Sequence, residues 1–159
     1  MTRKRGGDIK VLIAGAYTLD PALVAPHILL GEQGADGWGG LSRLPIGASV
    51  LLRAPLSGSP GPVEAIVADL CAVLSIEVHW RSPEPGRGGT GTIERDADMV
   101  EEADAVVTYV DPARHDEGGT VRIQRMGFQK SKPSWSFAPI EKGMAYVGAS
   151  ERVPSWSTA

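Results

Sequence analysis

SVLLRAPLSGSPGPVEAIVADLCAVLSIEVHW, running from Ser49 to Trp80, is the stretch whose reading decides the fold. It opens with Ser49–Arg53 and closes with Ile76–Trp80, two short apolar runs that do not alternate cleanly. That pattern suits strands covered on both faces of a sheet. Between them, Pro62–Leu74 places Val63, Ile66, Val67, Leu70 and Leu74 at helical spacings, which gives one apolar helix face. Strand, helix and strand in that order form a crossover, and crossovers join parallel strands.

The same alternation extends outward on both sides. Ile9–Ala14 and Ala105–Val110 read as two further buried strands, and Ser134–Phe137 as a weaker fifth one after Lys132-Pro133. Pro21–Leu30 reads as a helix, with Asp20 as its N-cap and Pro21 at its first position. Thr92–Ala103, which is more acidic, and Thr120–Gln129 complete the helices. The expectation is an α/β, three-layer, Rossmann-like domain with a mostly parallel sheet of about five strands, spanning residues 1–138. Gly31–Pro45, with five glycines and Trp38, reads as a long loop. Residues 139–159 read as a C-terminal extension: a loose arm, an added edge strand at Ala145–Val147, or a contact arm between subunits of a homo-oligomer.

Composition narrows the function classes. A chain of 159 residues with 42% hydrophobic content can bury a core without metal or disulfide staples. The formal net charge of −3 gives no global attraction to nucleic acid or to an anionic membrane. Thr2-Arg3-Lys4-Arg5 is a short basic tip, best read as solvated. Cys71 is the only cysteine, which excludes an intrachain disulfide and suggests a reducing compartment and a buried, inert thiol. No secretory signal and no apolar run of about 18 residues occurs, so the expected location is the cytoplasm and no membrane partner is expected. His27, His79 and His115 are scattered, and Asp111, His115 and Asp116 read as a polar loop rather than a ligand set. No metal site and no cofactor is expected.

In open parallel sheets, ligands gather at the carboxyl ends of the strands. The first such connection, Gly15 to Asp20, holds Gly15, which permits close backbone approach, and Tyr17, which could stack on a base or sugar; an ordinary turn is the other reading. The second, Pro55 to Glu64, brings Ser57, Gly58, Ser59 and Gly61 straight into a strong helix. Free amides and the helix dipole there favour an anion, although neither a P-loop nor a dinucleotide fingerprint is present. The third, Arg81 to Gly91, has the composition of a mobile lid or rim. In the helix that follows, Arg95 could clamp a phosphate and Asp96 could take ribose hydroxyls, unless both simply belong to a solvated helix start. The fourth leads from Asp111 to Glu117-Gly118-Gly119-Thr120, again offering backbone donors and a hydroxyl at a helix start.

Several motifs occur here in one order: Gly15-Ala16-Tyr17, the glycine-rich second loop, Arg95-Asp96 with Met99, and Ala103-Asp104-Ala105-Val106-Val107. Gly118-Gly119-Thr120 and Gly127 with Lys132-Pro133 follow. This order resembles the SLOG superfamily, which includes DprA-like proteins, LOG-type phosphoribohydrolases and small phage and bacterial domains. The closing segment is also similar to nucleoside 2-deoxyribosyltransferases. The resemblance covers roughly residues 9–138 and is best over 95–133. It implies a site for a nucleotide, nucleoside or nucleotide-derived ligand, with Arg95, Asp96, Gly118, Gly119 and Thr120 holding phosphate or sugar. In its enzymatic branches it implies cleavage or transfer at an N-glycosidic bond.

One departure shifts the balance between those implications. The enzymes place a Glu about three residues after the Gly-Thr pair, where this chain reads Val121-Arg122-Ile123-Gln124. A carboxylate there would stabilise the oxocarbenium-like charge of a breaking glycosidic bond. The leading expectation is therefore ligand binding. The alternative is a nucleoside deoxyribosyltransferase or N-glycosidase using Asp96 or Glu117, with Tyr17 as stacking or proton-donating partner. A structural or assembly protein that lost the site is the third reading. Nucleic-acid binding is not expected, because no basic stripe is interleaved with aromatics.

Overall fold

The apolar runs become strands β1 (Lys10–Gly15), β2 (Ser49–Arg53), β3 (Glu77–Arg81), β4 (Ala105–Tyr109) and β5 (Ser134–Ile140), joined by a sixth, β6 (Gly143–Ala149). The helices are α1 (Pro21–Leu30), α2 (Pro62–Leu74), α3 (Gly88–Glu102) and α4 (Thr120–Gln129). This computed structural model describes residues 9–32, 37–55, 57–114, 119–140 and 143–149. The sheet order is β3-β2-β1-β4-β5-β6. β1 to β5 run parallel, and β6 pairs antiparallel with β5. Among the described residues, no helix is long and apolar enough to cross a membrane.

Successive side chains of a strand point to opposite faces, and β1 uses both. Val11 and Ile13 join Val24 and Ile28 of α1 and Val63, Val67 and Cys71 of α2 in one core. Leu12 and Ala14 join Met99 and Val100 of α3 and Ile123 of α4 in the other. Each fully buried aliphatic side chain contributes about 1.5–3 kcal/mol, so an unbroken apolar strand stabilises two layers at once. The chain starts at the middle of the sheet, builds outward to β3, then returns to lay β4 beside β1. Strand order therefore reverses between β1 and β4, the position where open α/β sheets form a crevice.

The local signals fit their elements. Asp20 accepts a hydrogen bond from the Ala22 N–H at 2.9 Å, and Pro21 follows at the first turn. Burial pushes the Cys71 thiol up to about 12, as expected of an inert core residue. Two elements differ from expectation. α3 starts at Gly88 rather than Thr92, although Gly88, Gly89 and Gly91 are poor helix formers. Gly91 is buried, and a Cβ there would lie 3.1 Å from the Glu84 carbonyl, so close packing on the preceding turn overrides propensity. The connection read as a lid is thus confined to Ser82–Arg87. β5 also runs past Phe137 through Pro139, because β4 pairs only as far as Phe137 and the missing proline N–H costs that ladder nothing. Of the three readings for the C-terminal segment, residues 143–149 take that of an edge strand in the same sheet.

The described parts of the segment expected as a loop at Gly31–Pro45, which include a short 3-10 helix at Leu41–Arg43, are tied down from within. Gly31, at φ 61°, ends α1; a Cβ there would collide with the Trp38 carbonyl. Trp38 is buried and its indole N–H donates to the Tyr109 hydroxyl at 3.2 Å. The same hydroxyl lies 2.9 Å from His27 Nδ1, while His27 Nε2 lies 3.0 Å from Glu32. Burial pushes the Tyr109 hydroxyl well above its ordinary range, so it stays a neutral donor and acceptor. On the other face, Glu102 of α3 accepts from Arg81 at 2.7 Å and from Lys10 at 2.9 Å, tying α3 to β3 and β1.

Two outcomes are expected. Tyr109→Phe removes the acceptor for a buried indole N–H and should cost about 1–3 kcal/mol in urea unfolding; a loss below a few tenths would mean that the bridge contributes nothing. The Arg81 hydrogen bond, helped by Lys10, holds Glu102 down to about 2 from an ordinary 4.5. A lowered carboxylate stabilises the fold above its unfolded value and loses that stabilisation as pH falls toward the folded one. The partly exposed cluster should contribute about 1 kcal/mol, and Glu102→Gln should flatten the stability profile between pH 4.5 and 2.

Candidate functional site

The C-terminal edge of the sheet is organised by charges where packing alone would predict apolar side chains. Arg53 closes β2 and is 2% exposed. Its Nε donates to Glu64 Oε2 at 2.8 Å, and its Nη2 donates to the Gly15 carbonyl at 2.9 Å and to Thr120 Oγ1 at 3.2 Å. One guanidinium thus joins the end of β1, the first turn of α2 and the start of α4. The two glycine-bearing connections that end at Gly61 and Thr120 therefore meet on one edge. Glu64 sits in the first turn of α2, where a carboxylate favours the helix dipole. Burial raises its pKa, opposed by the Arg53 charge and hydrogen bond and by the nearby backbone N–H groups of Glu64 and Gly15.

Small residues make this convergence possible. A Cβ on Gly15 would lie 2.3 Å from the Val63 side chain, so glycine lets α2 seat directly on β1. A Cβ on Gly61 would lie 2.7 Å from the Tyr17 ring, which rests on the Gly61 backbone. The Arg53 guanidinium carbon is 5.7 Å from the centre of that ring. Tyr17 is half-exposed and stands over the Arg53 guanidinium. Thr18 donates to Asp111 at 2.6 Å, linking the β1 and β4 connections across the crevice.

A second charge set lies beside the first. Asp96 of α3 is fully buried and accepts from Arg95 Nε and Arg122 Nη2, each at 2.7 Å. Arg95 Nη1 also donates to the carbonyls of Ala54 and Arg81, the residues at the ends of β2 and β3. Arg122 lies in the first turn of α4 and folds over Gly119, whose φ of 78° is left-handed and where a Cβ would lie 2.5 Å from the guanidinium. A cation at a helix N-terminus opposes the dipole; Asp96 offsets it from one side. The Arg122 side chain keeps 32% of its surface exposed. Arg53 pairs with Glu64, and Arg95 and Arg122 share Asp96, on this edge. Alongside lies a cavity of about 390 Å³ lined by Pro55, Ser82, Pro83, Pro85 and Gly86.

The structure gathers Gly15, Tyr17, Gly61, Arg95, Asp96, Gly119 and Thr120 around these two sets. Ser57, Gly58 and Ser59 stand exposed on the connection from β2 to α2. Glu117 and Gly118 lie outside the described residues, as do His115 and Asp116. Sequence reasoning missed Arg53 and Glu64. Their signals were present: an arginine ending an otherwise apolar strand, and a glutamate next to Val63 at the buried start of α2. The buried face of that helix is Val63, Glu64, Val67 and Cys71, rotated from the expected one, while Leu74 is partly exposed.

Removing one member of a buried pair leaves an uncompensated charge, so Arg53→Met should destabilise the protein by about 3–5 kcal/mol. Adding Glu64→Leu should restore most of that loss. Urea unfolding of both single variants and the double variant checks the coupling, and simple additivity would refute it. No family model, no curated protein and no solved structure matches this chain.

Proposed function

We propose that the protein binds a nucleotide, nucleoside or nucleotide-derived ligand at the C-terminal edge of β1, β2 and β4. The observation that carries this reading is Arg122. It is a partly exposed guanidinium in the first turn of α4, folded over a left-handed glycine and oriented by a buried aspartate. A helix N-terminus with a positioned guanidinium is chemistry suited to phosphate. Tyr17 supplies a flat, half-exposed face over Arg53, which itself donates to Thr120 at the start of α4, and that face is suited to a base or sugar. The resemblance to SLOG proteins supports the same ligand class, and the crevice at the strand-order reversal is where such folds bind.

The enzymatic alternative draws less support from these residues. Asp96 commits one oxygen to Arg95 and the other to Arg122, which suits it to orient them rather than to attack a sugar. In the binding reading, Asp96 is a positioning residue and Tyr17 a stacking one.

Calorimetric titration with AMP, ribose 5-phosphate and adenosine tests the proposal. Binding of AMP is expected, and Arg122→Gln should weaken AMP and ribose 5-phosphate by about tenfold while changing adenosine little. No heat and no thermal stabilisation with any of the three at millimolar concentration would refute it.

A further inference from the structure

Glu64 holds more hydrogen-bonding capacity than the folded chain uses. Oε2 accepts from Arg53 at 2.8 Å, but Oε1 is buried and, among the described residues, is the partner of no well-formed hydrogen bond, the Gly15 and Glu64 N–H groups lying only near the carboxylate. A carboxylate oxygen withdrawn from water without a partner is costly, and native structures rarely keep one without use. Glu64 is 1% exposed, so this cost is not relieved by solvent.

The surroundings of Oε1 show where a partner would come from. A Cβ built on Gly61 would lie 3.4 Å from Oε1 and 2.7 Å from the Tyr17 ring. The position of the side chain that glycine lacks thus touches both the ring and the carboxylate. Tyr17 is half-exposed and stands over the same point. Gly61 has φ −58°, an ordinary value, so nothing in the backbone requires glycine here. The requirement for a small residue is one of space, set chiefly by the Tyr17 ring with Oε1 in contact beyond it.

We propose that Glu64 reads the ligand: Oε1 accepts a hydrogen bond from a neutral N–H or O–H of the bound nucleotide, admitted as Tyr17 moves aside. This rests on the nucleotide reading above and adds an orientation to it. Phosphate, repelled by a carboxylate, lies toward Arg122 and Gly119; the sugar or base lies toward Tyr17 and Gly61. The donor is neutral because Arg53 already compensates the carboxylate, and a second cation would face that guanidinium at close range. A sugar hydroxyl and an exocyclic amine share this chemistry.

Three probes distinguish the sources. AMP carries both donors, 2′,3′-dideoxyadenosine 5′-monophosphate lacks the sugar hydroxyls, and purine riboside 5′-monophosphate lacks the amine. Wild-type protein should bind AMP about tenfold or more tightly than whichever probe lacks the donor in use, because that probe leaves Oε1 unpaired. Glu64→Gln, with its fold checked by circular dichroism, should bind all three within about threefold. Gly61→Ala is the second variant: it leaves the Arg53–Glu64 pair in place, fills the gap, and should erase the same discrimination. Equal binding of the three probes by wild type overturns the proposal while leaving the nucleotide reading standing. So does discrimination that survives in folded Gly61→Ala or Glu64→Gln. Failure of wild type to bind any probe overturns both.

Discussion

A guanidinium cannot lose its water without a matching charge, and the end of β2 is where this chain imposes that condition on itself. Arg53 is buried, so Glu64 must be brought to it, and with Glu64 comes the first turn of α2. Its Nη2 fixes the Gly15 carbonyl and the Thr120 hydroxyl. Three connections separated by long stretches of sequence are thereby held at one place. Asp96 repeats the arrangement with opposite sign, a buried carboxylate gathering Arg95 from its own helix and Arg122 from α4. The lower sheet is held by apolar burial, which is non-directional. This edge is held by charge matching, which fixes positions and angles.

That division explains what could be read from the residues. Val11, Leu12, Ile13 and Ala14 announce a strand buried on both faces because apolar packing leaves its mark in consecutive residues. Four helices and five strands follow from apolar runs, spacings and caps, and all of their bounds but two lie within a residue of the expected place. The start of α3 did not, since Gly88–Gly91 become helical through contact with Glu84 and Arg87 rather than by propensity. The extent of β5 did not either, since Pro139 is tolerated only because β4 has already ended there. Both depend on neighbours in space.

The site divides in the same way. Sheets of this type gather ligands at strand ends, so Gly15, Gly61, Gly119 and Thr120 were legible as candidates and do lie together on this edge. Arg95 and Asp96 were legible as chemistry, but their mutual bond and the reach of Arg122 across from α4 were not. Arg53 and Glu64 stand eleven positions apart, and each alone reads as an isolated charge. Only the crossover that folds α2 back over β1 makes them a pair. Charge pairs between elements leave no period, whereas a helix face does.

The glutamate absent after Gly119-Thr120 gains meaning from the same geometry. Three residues beyond Thr120 stands Ile123, fully buried against Leu12 and Val106 in the second core. A carboxylate at that position would be driven into apolar packing with no cation beside it, at a cost of several kcal/mol or a shift to its neutral form. The first-turn residue of α4 that does reach the edge is Arg122, of opposite charge. Among the described residues, the carboxylate on this edge with an oxygen to spare is Glu64, and it arrives from the other face of the sheet, already compensated by Arg53. A compensated carboxylate is a weaker stabiliser of a developing oxocarbenium charge than a free one, but it remains a good acceptor for a neutral donor. The charge pattern around the crevice therefore supports holding a nucleotide more than cleaving one.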